Sequence, residues 1–326
     1  MIPYSHLLNL TDDTGLYQHA KGRIPWREHG YCSDDVCRAL LFAVRETHGP
    51  EELRRAANTY VSFLMDAANP PHGFRNFMSF DRRWLEEVGS PDCQGRVAWA
   101  LAETAANDPY GHLAFVARDT LERIVPHLDL VESPRAIAFY LMALRHGYDE
   151  TARNCGVARL TNLFQTHSRP EWTWFEPYVT YCNAILPHAL IVQPEEESQA
   201  LGLKTLEWLF EHERDTDIMA PTGNQGFAKP GYKAKYGQQP VELQELSMAC
   251  VSAFKLTAEM KWKARQHMCL AWFDGYNTRG VQMADPSTGA GFDGLEEEST
   301  SFNAGAESTL AYLFVRQDAE QLAREA

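Results

Sequence analysis

The sequence predicts an all-α protein built as an (α/α)6 toroid, with six buried inner helices alternating with outer ones. Three observations carry that expectation. Apolar residues recur at helical spacing through most of the chain, while strand-like alternation is nearly absent. Six segments begin with polar residues and continue into small and apolar ones, as helices buried nearly all round do. Counted at Asp34, Gln94, Arg135, Asn183, Glu242 and Glu307, their starts are 60, 41, 48, 59 and 65 residues apart. Each gap has room for one more amphipathic helix and a loop. A solenoid of helix pairs is the competing architecture, but solenoid repeats are usually regular in length and these are not.

The elements follow in order. Asp34–His48 is apolar at Val36, Ala39, Leu40, Ala43 and Val44, and Gly49-Pro50 stops it. Glu51–Ala68 follows and ends before Asn69-Pro70-Pro71. Helical patterns continue at Gln94–Ala106, Leu113–Leu128, Ser133–His146, Glu150–Thr166, Tyr181–Val192, Glu195–His212, Val241–Met260, Lys263–Tyr276 and Ala304–Val315. The outer helix that closes the ring is the least defined, and either the C-terminus or residues 7–20 supply it. One domain is expected over residues 1–326.

Composition narrows the function. The chain has 326 residues, 44% hydrophobic and 23% charged, with 30 Lys and Arg against 44 Asp and Glu. A net charge of −14 repels phosphate backbones and anionic lipid, so neither nucleic acid nor a membrane surface is an expected partner. No apolar run approaches the length of a spanning helix. MIPYSHLLNLTDDTG has neither a basic start nor an apolar stretch, so no secretory signal is expected. The seven cysteines are scattered, and Cys32 and Cys37 have no second pair at zinc spacing. Reduced thiols in the cytoplasm are the expectation, with no metal and no organic cofactor.

The polar starts of the inner helices would converge on one end of the central cavity. The segments feeding them are long and dense in aromatic and hydrogen-bonding residues: GFRNFMSFDRRW from Gly73, EWTWFEPYVTYCN from Glu171, GNQGFAKPGYKAKYGQQPVE from Gly223 and GAGFDGLEEESTSFNAGAE from Gly289. Sugars ask for such residues, since their C–H faces stack on rings and their hydroxyls need paired donors and acceptors. GxxxxGK, HExxH and GxSxG are absent, and no GxGxxG follows a strand.

Four carboxylates are the catalytic candidates: Asp35, Glu176, Glu242 and Glu307. Glu176 lies between aromatic residues, which would disfavour its charge and suit a general acid. Glu242 and Glu307 fall on inner-helix patterns, where an unpaired carboxylate is costly without a purpose. Glu176 or Glu242 is the candidate acid, and Asp35 or Glu307 the candidate base. Trp84, Trp174, Tyr178 and Tyr181 are candidate stacking rings. Arg75, Arg82, Asn183 and Gln239 are candidates for holding hydroxyls, with Asp34, Asp81 and Asp293 beside them. Each has a plainer role available. Ser33 or Asp34 can cap its helix, Asp12-Asp13 can shape a turn, and Asp81-Arg82-Arg83 contains a structural ion pair. His19 and His188 would be the acid and base of a sugar epimerase, although His188, one turn into its helix, reads better as a core residue.

In this order, LTDDTGLYQHA, GYCSDDVCRAL, FRNFMSFDRRW, SPRA, WFEPYVTYCNAILPHAL, QQPVE and GAESTLAYLF make the chain resemble a bacterial family of six-hairpin glycosidase-like proteins. The resemblance spans nearly the whole chain. It implies the same toroid, a mono- or oligosaccharide ligand that includes mannose-containing ones, and a glycosyltransferase partner, since members occur alone or attached to such enzymes. The family pattern C-T-D-D-N-A-R-A-L stands here as Cys32-Ser33-Asp34-Asp35-Val36-Cys37-Arg38-Ala39-Leu40. Its Tyr-Asp-Asn-Ala stands as Tyr181-Cys182-Asn183-Ala184. One polar group is lost in each, which points to altered specificity or lost catalysis. Three readings therefore stay open: a glycoside hydrolase using paired carboxylates, a glycan-binding or glycosyltransferase-partner module without catalysis, and an epimerase or isomerase using His19 and His188. The hydrolase leads.

Overall fold

Helical periodicity places eleven helices, and each of the eleven has its counterpart among the described residues, with a short further helix before them. The structure is a computed structural model that describes residues 2–46, 49–124 and 132–325. The expected helix ends at His48 and Leu128 lie outside the described residues. The helices are α1 (Ser5–Leu10), α2 (Ser33–Arg45), α3 (Glu51–Ala67), α4 (Pro91–Asn107), α5 (Leu113–Ile124) and α6 (Pro134–Leu144). After them come α7 (Glu150–His167), α8 (Ile185–Ile191), α9 (Glu196–His212), α10 (Pro240–Thr257), α11 (Met260–Phe273) and α12 (Ala306–Arg324).

Burial alternates along this series as the pattern predicts. Nearly every residue of α2 and α6 is buried, as is most of α4 and α10 and all of α8, whereas α3, α5, α9 and α11 bury one stripe.

Helix starts and stops have local causes. Ser90 caps α4 by accepting the Cys93 N–H, and Ser133 caps α6 by accepting the Ala136 N–H. Both helices then open on proline, which loses nothing there because that N–H has no helical partner. The helix expected from Tyr181 begins only at Ile185, because Cys182 sits at φ +45° and breaks the run. Residues 7–20 do not form the closing helix. Only 7–10 belong to α1, and Asp12 Oδ1 then accepts the N–H groups of Thr14 and Gly15 to make a turn.

Seven antiparallel ladders of two residues each lie in the loops among the described residues. Two residues are too few to show alternation, so the sequence pattern cannot reveal them. The ladder pairing Ala228–Lys229 with Tyr232–Lys233 closes through Pro230-Gly231, with Gly231 at φ +80°, where glycine is strain-free.

The chain divides into two compact units. One comprises Tyr4–Gly156 and Asn303–Leu310, and the other Met1–Pro3, Val157–Phe302 and Ala311–Ala326. In the first, α4 packs against α2, α5 and α6, while α3 lies against α2 and α5. The α4–α6 crossing is close because Gly95 has no side chain: a Cβ there would come within 2.7 Å of Phe139 Cβ and 3.0 Å of the Ala136 carbonyl oxygen. In the second unit, α10 packs against α8, α9 and α11. Among its buried polar groups, Ser247 donates to Asp318 and Gln266 Nε2 to the Val315 carbonyl.

Candidate functional site

In the Tyr4–Gly156 and Asn303–Leu310 unit, the starts of α2, α4 and α12 bring charged side chains together. Arg38, one turn into α2 and almost wholly buried, donates through Nη1 to Asp35 Oδ1 at 2.9 Å. Its Nη2 lies 2.9 Å from Glu307 Oε2 on α12. Asp34 Oδ1 stands 4.0 Å from Arg96 Nε of α4, and Asp92 of the same helix accepts from Ser133 at 3.1 Å.

The two adjacent aspartates of α2 part company here. Asp35 is buried, with 6% of its side chain exposed, whereas Asp34 keeps 23% and Glu307 36%. Burial pushes the Asp35 carboxyl up to about 7, with Arg38 pulling the other way. Burial also raises the Asp34 carboxyl, opposed by Arg96 and Arg38 and reinforced by the charges of Asp92 and Glu307.

Segment 18–22 is held against 303–306. The Ala306 N–H donates to the Gln18 carbonyl at 3.1 Å, and the Ala20 N–H to Asn303 Oδ1 at 2.9 Å. His19 is thereby placed near Glu307, with its Nδ1 3.1 Å from Asn303 Nδ2 and its ring edge-on to His29. Burial and the neighbouring His29 lower its pKa, so the imidazole is largely neutral at pH 7.

The α2 start is organised by a residue that sequence reasoning missed. Asn76 Oδ1 accepts the Asp34 N–H at 3.1 Å and the Cys32 thiol at 3.2 Å. This cap comes from 42 residues away, so no local spacing signals it. Gln94 likewise clamps the Phe74 backbone, accepting its N–H and donating to its carbonyl.

The other predicted residues of this unit form a separate set of contacts. Asp81 accepts from Ser79, which lowers its pKa, and pairs with Arg83; this is the ion pair expected within Asp81-Arg82-Arg83. Arg82 donates to Asp13 at 2.8 Å. Trp84 is half-buried, its Nε1 donating to Asp66 and its ring 5.3 Å from Phe63. Arg75 lies over Trp84 and 3.7 Å from Glu87.

In the second unit, Glu242 on α10 is the organising carboxylate. Its Oε1 accepts the Cys182 N–H at 2.6 Å, and its Oε2 accepts Asn183 Nδ2 at 2.8 Å and the Asn183 N–H at 3.3 Å. Burial and the nearby Glu213 push this carboxyl up to about 7, against those hydrogen bonds. Glu213, also missed from sequence, holds the Thr222 N–H and hydroxyl. Asn183 is fully buried and serves this turn, with its Oδ1 accepting the Thr180 N–H.

Tyr178 and Tyr181 are 53% and 40% exposed, whereas Trp174 is fully buried and stacks on Trp208. Trp174 is therefore a packing residue in this structure, without an open face. Glu176, Gln239 and Asp293 are half-buried. His188 is 3% exposed and hydrogen-bonds Ser252 at 2.9 Å, as the core reading of it expects. No helix among the described residues is long and apolar enough to cross a membrane.

Comparison with known proteins gives the fold. No family model matches the sequence, and no curated protein matches it. Solved structures do. A sugar epimerase from a ruminal bacterium is similar at TM-score 0.73 and 12% identity, covering 98% of this chain and 95% of its own. A cellobiose 2-epimerase from Bacillus thermoamylovorans is similar at 0.69 and 13%, covering 99% and 96%. A GH76 α-mannanase from Bacteroides thetaiotaomicron is similar at 0.62 and 8%, covering 91% and 88%. The chain has the (α/α)6 toroid fold of these six-hairpin glycosidase-like enzymes. The glycosyltransferase association that the sequence resemblance implies finds no support among them.

Proposed function

We propose that the protein is a carbohydrate-active enzyme that cleaves a glycosidic bond in a short oligosaccharide, with Glu307 as the base. The observation that carries this reading is the double grip of Arg38, which ties buried Asp35 and part-exposed Glu307 to one guanidinium. Glycoside hydrolysis needs two carboxyl groups in different protonation states. Asp34 is raised by burial yet still reaches solvent, so it is the better proton donor to the leaving oxygen, and Asp35 positions Arg38. Glu307 takes the proton from a water that attacks the anomeric carbon as the C–O bond breaks and the leaving oxygen receives the proton from Asp34. If the enzyme inverts, the two reacting carboxyls stand about 6.5–9.5 Å apart. Glu242 has both oxygens engaged by the Cys182–Asn183 turn, so we assign it to holding those two residues in place.

Proton NMR of anomeric signals tests this, with short manno- and gluco-oligosaccharides supplied with and without phosphate. A new anomeric signal is expected, and it should vanish in Glu307→Gln. Phosphate dependence would make the reaction phosphorolysis. Line broadening without product would make the protein a glycan-binding module and overturn the hydrolase reading.

Epimerisation is a second reading, favoured by neutral His19 near Glu307. The sugar epimerases among the structural matches lend it support. Buried His188 does not make an open partner for it. Running the same reaction in D2O separates the two chemistries, because removing the proton next to a sugar carbonyl exchanges it for deuterium, and hydrolysis does not.

A further inference from the structure

A cleft of about 520 Å3 opens in the second unit between the last turn of α9, the Glu171–Trp172 segment and the Ala228–Lys233 hairpin. That volume falls within the range of small-ligand sites. Three contacts hold its walls. The Val179 and Ala228 backbones exchange hydrogen bonds of 2.9 and 3.0 Å, and Trp172 Nε1 donates to the Glu176 carbonyl at 2.7 Å. Lys233 Nζ donates to the His212 carbonyl at 2.5 Å.

The lining mixes donors and acceptors. Glu171 and Glu211 face the cleft together with Lys229 and Lys233, so carboxylate acceptors stand beside ammonium donors. A neutral ligand rich in hydroxyls can donate to the first pair and accept from the second. Glu211 is already fixed by Arg214 at 2.7 Å and Arg265 at 3.1 Å, so a ligand need not order it. Tyr232, next to the Pro230-Gly231 turn of the hairpin, leaves 49% of its surface open. Its ring offers the flat apolar face on which the C–H side of a pyranose packs.

We propose that this cleft binds a neutral saccharide of one or two rings, as an accessory site apart from the Arg38 carboxylates. The assignment rests on the carbohydrate reading above. Calorimetric titration of the Glu307→Gln protein tests it, because a variant without turnover leaves the ligand intact. Cellobiose and mannobiose are the neutral probes and glucose 6-phosphate the charged one. At least one disaccharide is expected to bind with a change in tryptophan emission, since Trp172 and Trp208 line the cleft. Adding Tyr232→Ala should weaken that binding about tenfold or more. Lys229→Ser should weaken it too, and serves as the second variant should Tyr232→Ala disturb the hairpin. Undiminished disaccharide affinity in both variants, tighter binding of glucose 6-phosphate, or no disaccharide binding at all would each overturn the proposal. None of these outcomes touches the hydrolase reading, which the NMR assay decides on the wild-type protein.

Discussion

Arg38 Nη2 and Glu307 Oε2 lie 2.9 Å apart, joining the second turn of α2 to the first turn of α12. The contact matters because the same guanidinium also neutralises a carboxylate out of reach of water. Removing Arg38 therefore leaves Asp35 buried without this cation. Arg38→Met should cost about 3–5 kcal/mol, the range for breaking one side of a buried pair. Chemical denaturation measures it, and a loss below about 1 kcal/mol would show that Asp35 does not depend on Arg38.

Glu307 is more than a third exposed, so its own contribution to stability is small. Glu307→Gln should shift stability by no more than about 1 kcal/mol while abolishing turnover in the anomeric NMR assay. Full activity in a folded Glu307→Gln protein would remove it as the base.

Asp35 and Glu242 have raised carboxyls, each near about 7 when folded against ordinary values of 3.8 and 4.5. Between those values the folded chain holds protons that the unfolded chain has released. Their ionisation therefore works against folding as pH rises through that window, and the effect is complete above about 7. His19 and His212, lowered by burial, act in the opposite sense below about 6.5, so a variant comparison isolates the carboxyl. The Tm gap between Glu242→Gln and wild type should move in the variant's favour as pH rises from about 5 to about 7.5. A pH-independent gap would mean Glu242 titrates near its ordinary value.

Gly95 sets the approach of α4 to α6. Gly95→Ala pushes a methyl group against the Phe139 side chain and the Ala136 carbonyl, and should cost about 1–3 kcal/mol despite alanine's better helix propensity. A stabilised variant would mean the two helices separate freely.

His188 is a core residue bonded to Ser252. His188→Asn should lose about 1 kcal/mol of stability and keep activity. Loss of turnover in a folded variant would return His188 to the reacting pair.

Most of the fold was legible from one-dimensional pattern. The polar-then-small runs from Ser33, Cys93, Ser133 and Pro240 became buried helices because a helix apolar on every side has no stable place except among other helices. Helix ends were less legible. The start of α8 slid to Ile185 because Glu242, 60 residues away, accepts the Cys182 N–H, and nothing in the Tyr181–Val192 pattern records that.

The site divides along the same line. Sequence alone marked Asp34, Asp35 and Glu307 as polar groups at the starts of buried helices. It could not say which aspartate turns inward. That choice belongs to tertiary structure, because it depends on where Arg38 finds its second partner, and Glu307 is that partner. Trp174 makes the complementary case. Its aromatic neighbours suggested a sugar platform, but both kinds of aromatic, stacked core and open platform, look alike in sequence. Only the packing of Trp208 against Trp174 decided that this one is core. Periodicity is a property of the chain and survives being read in one dimension. Charge neutralisation, capping by Asn76 and closure of an aromatic face are properties of distant groups meeting, and folding alone brings them together.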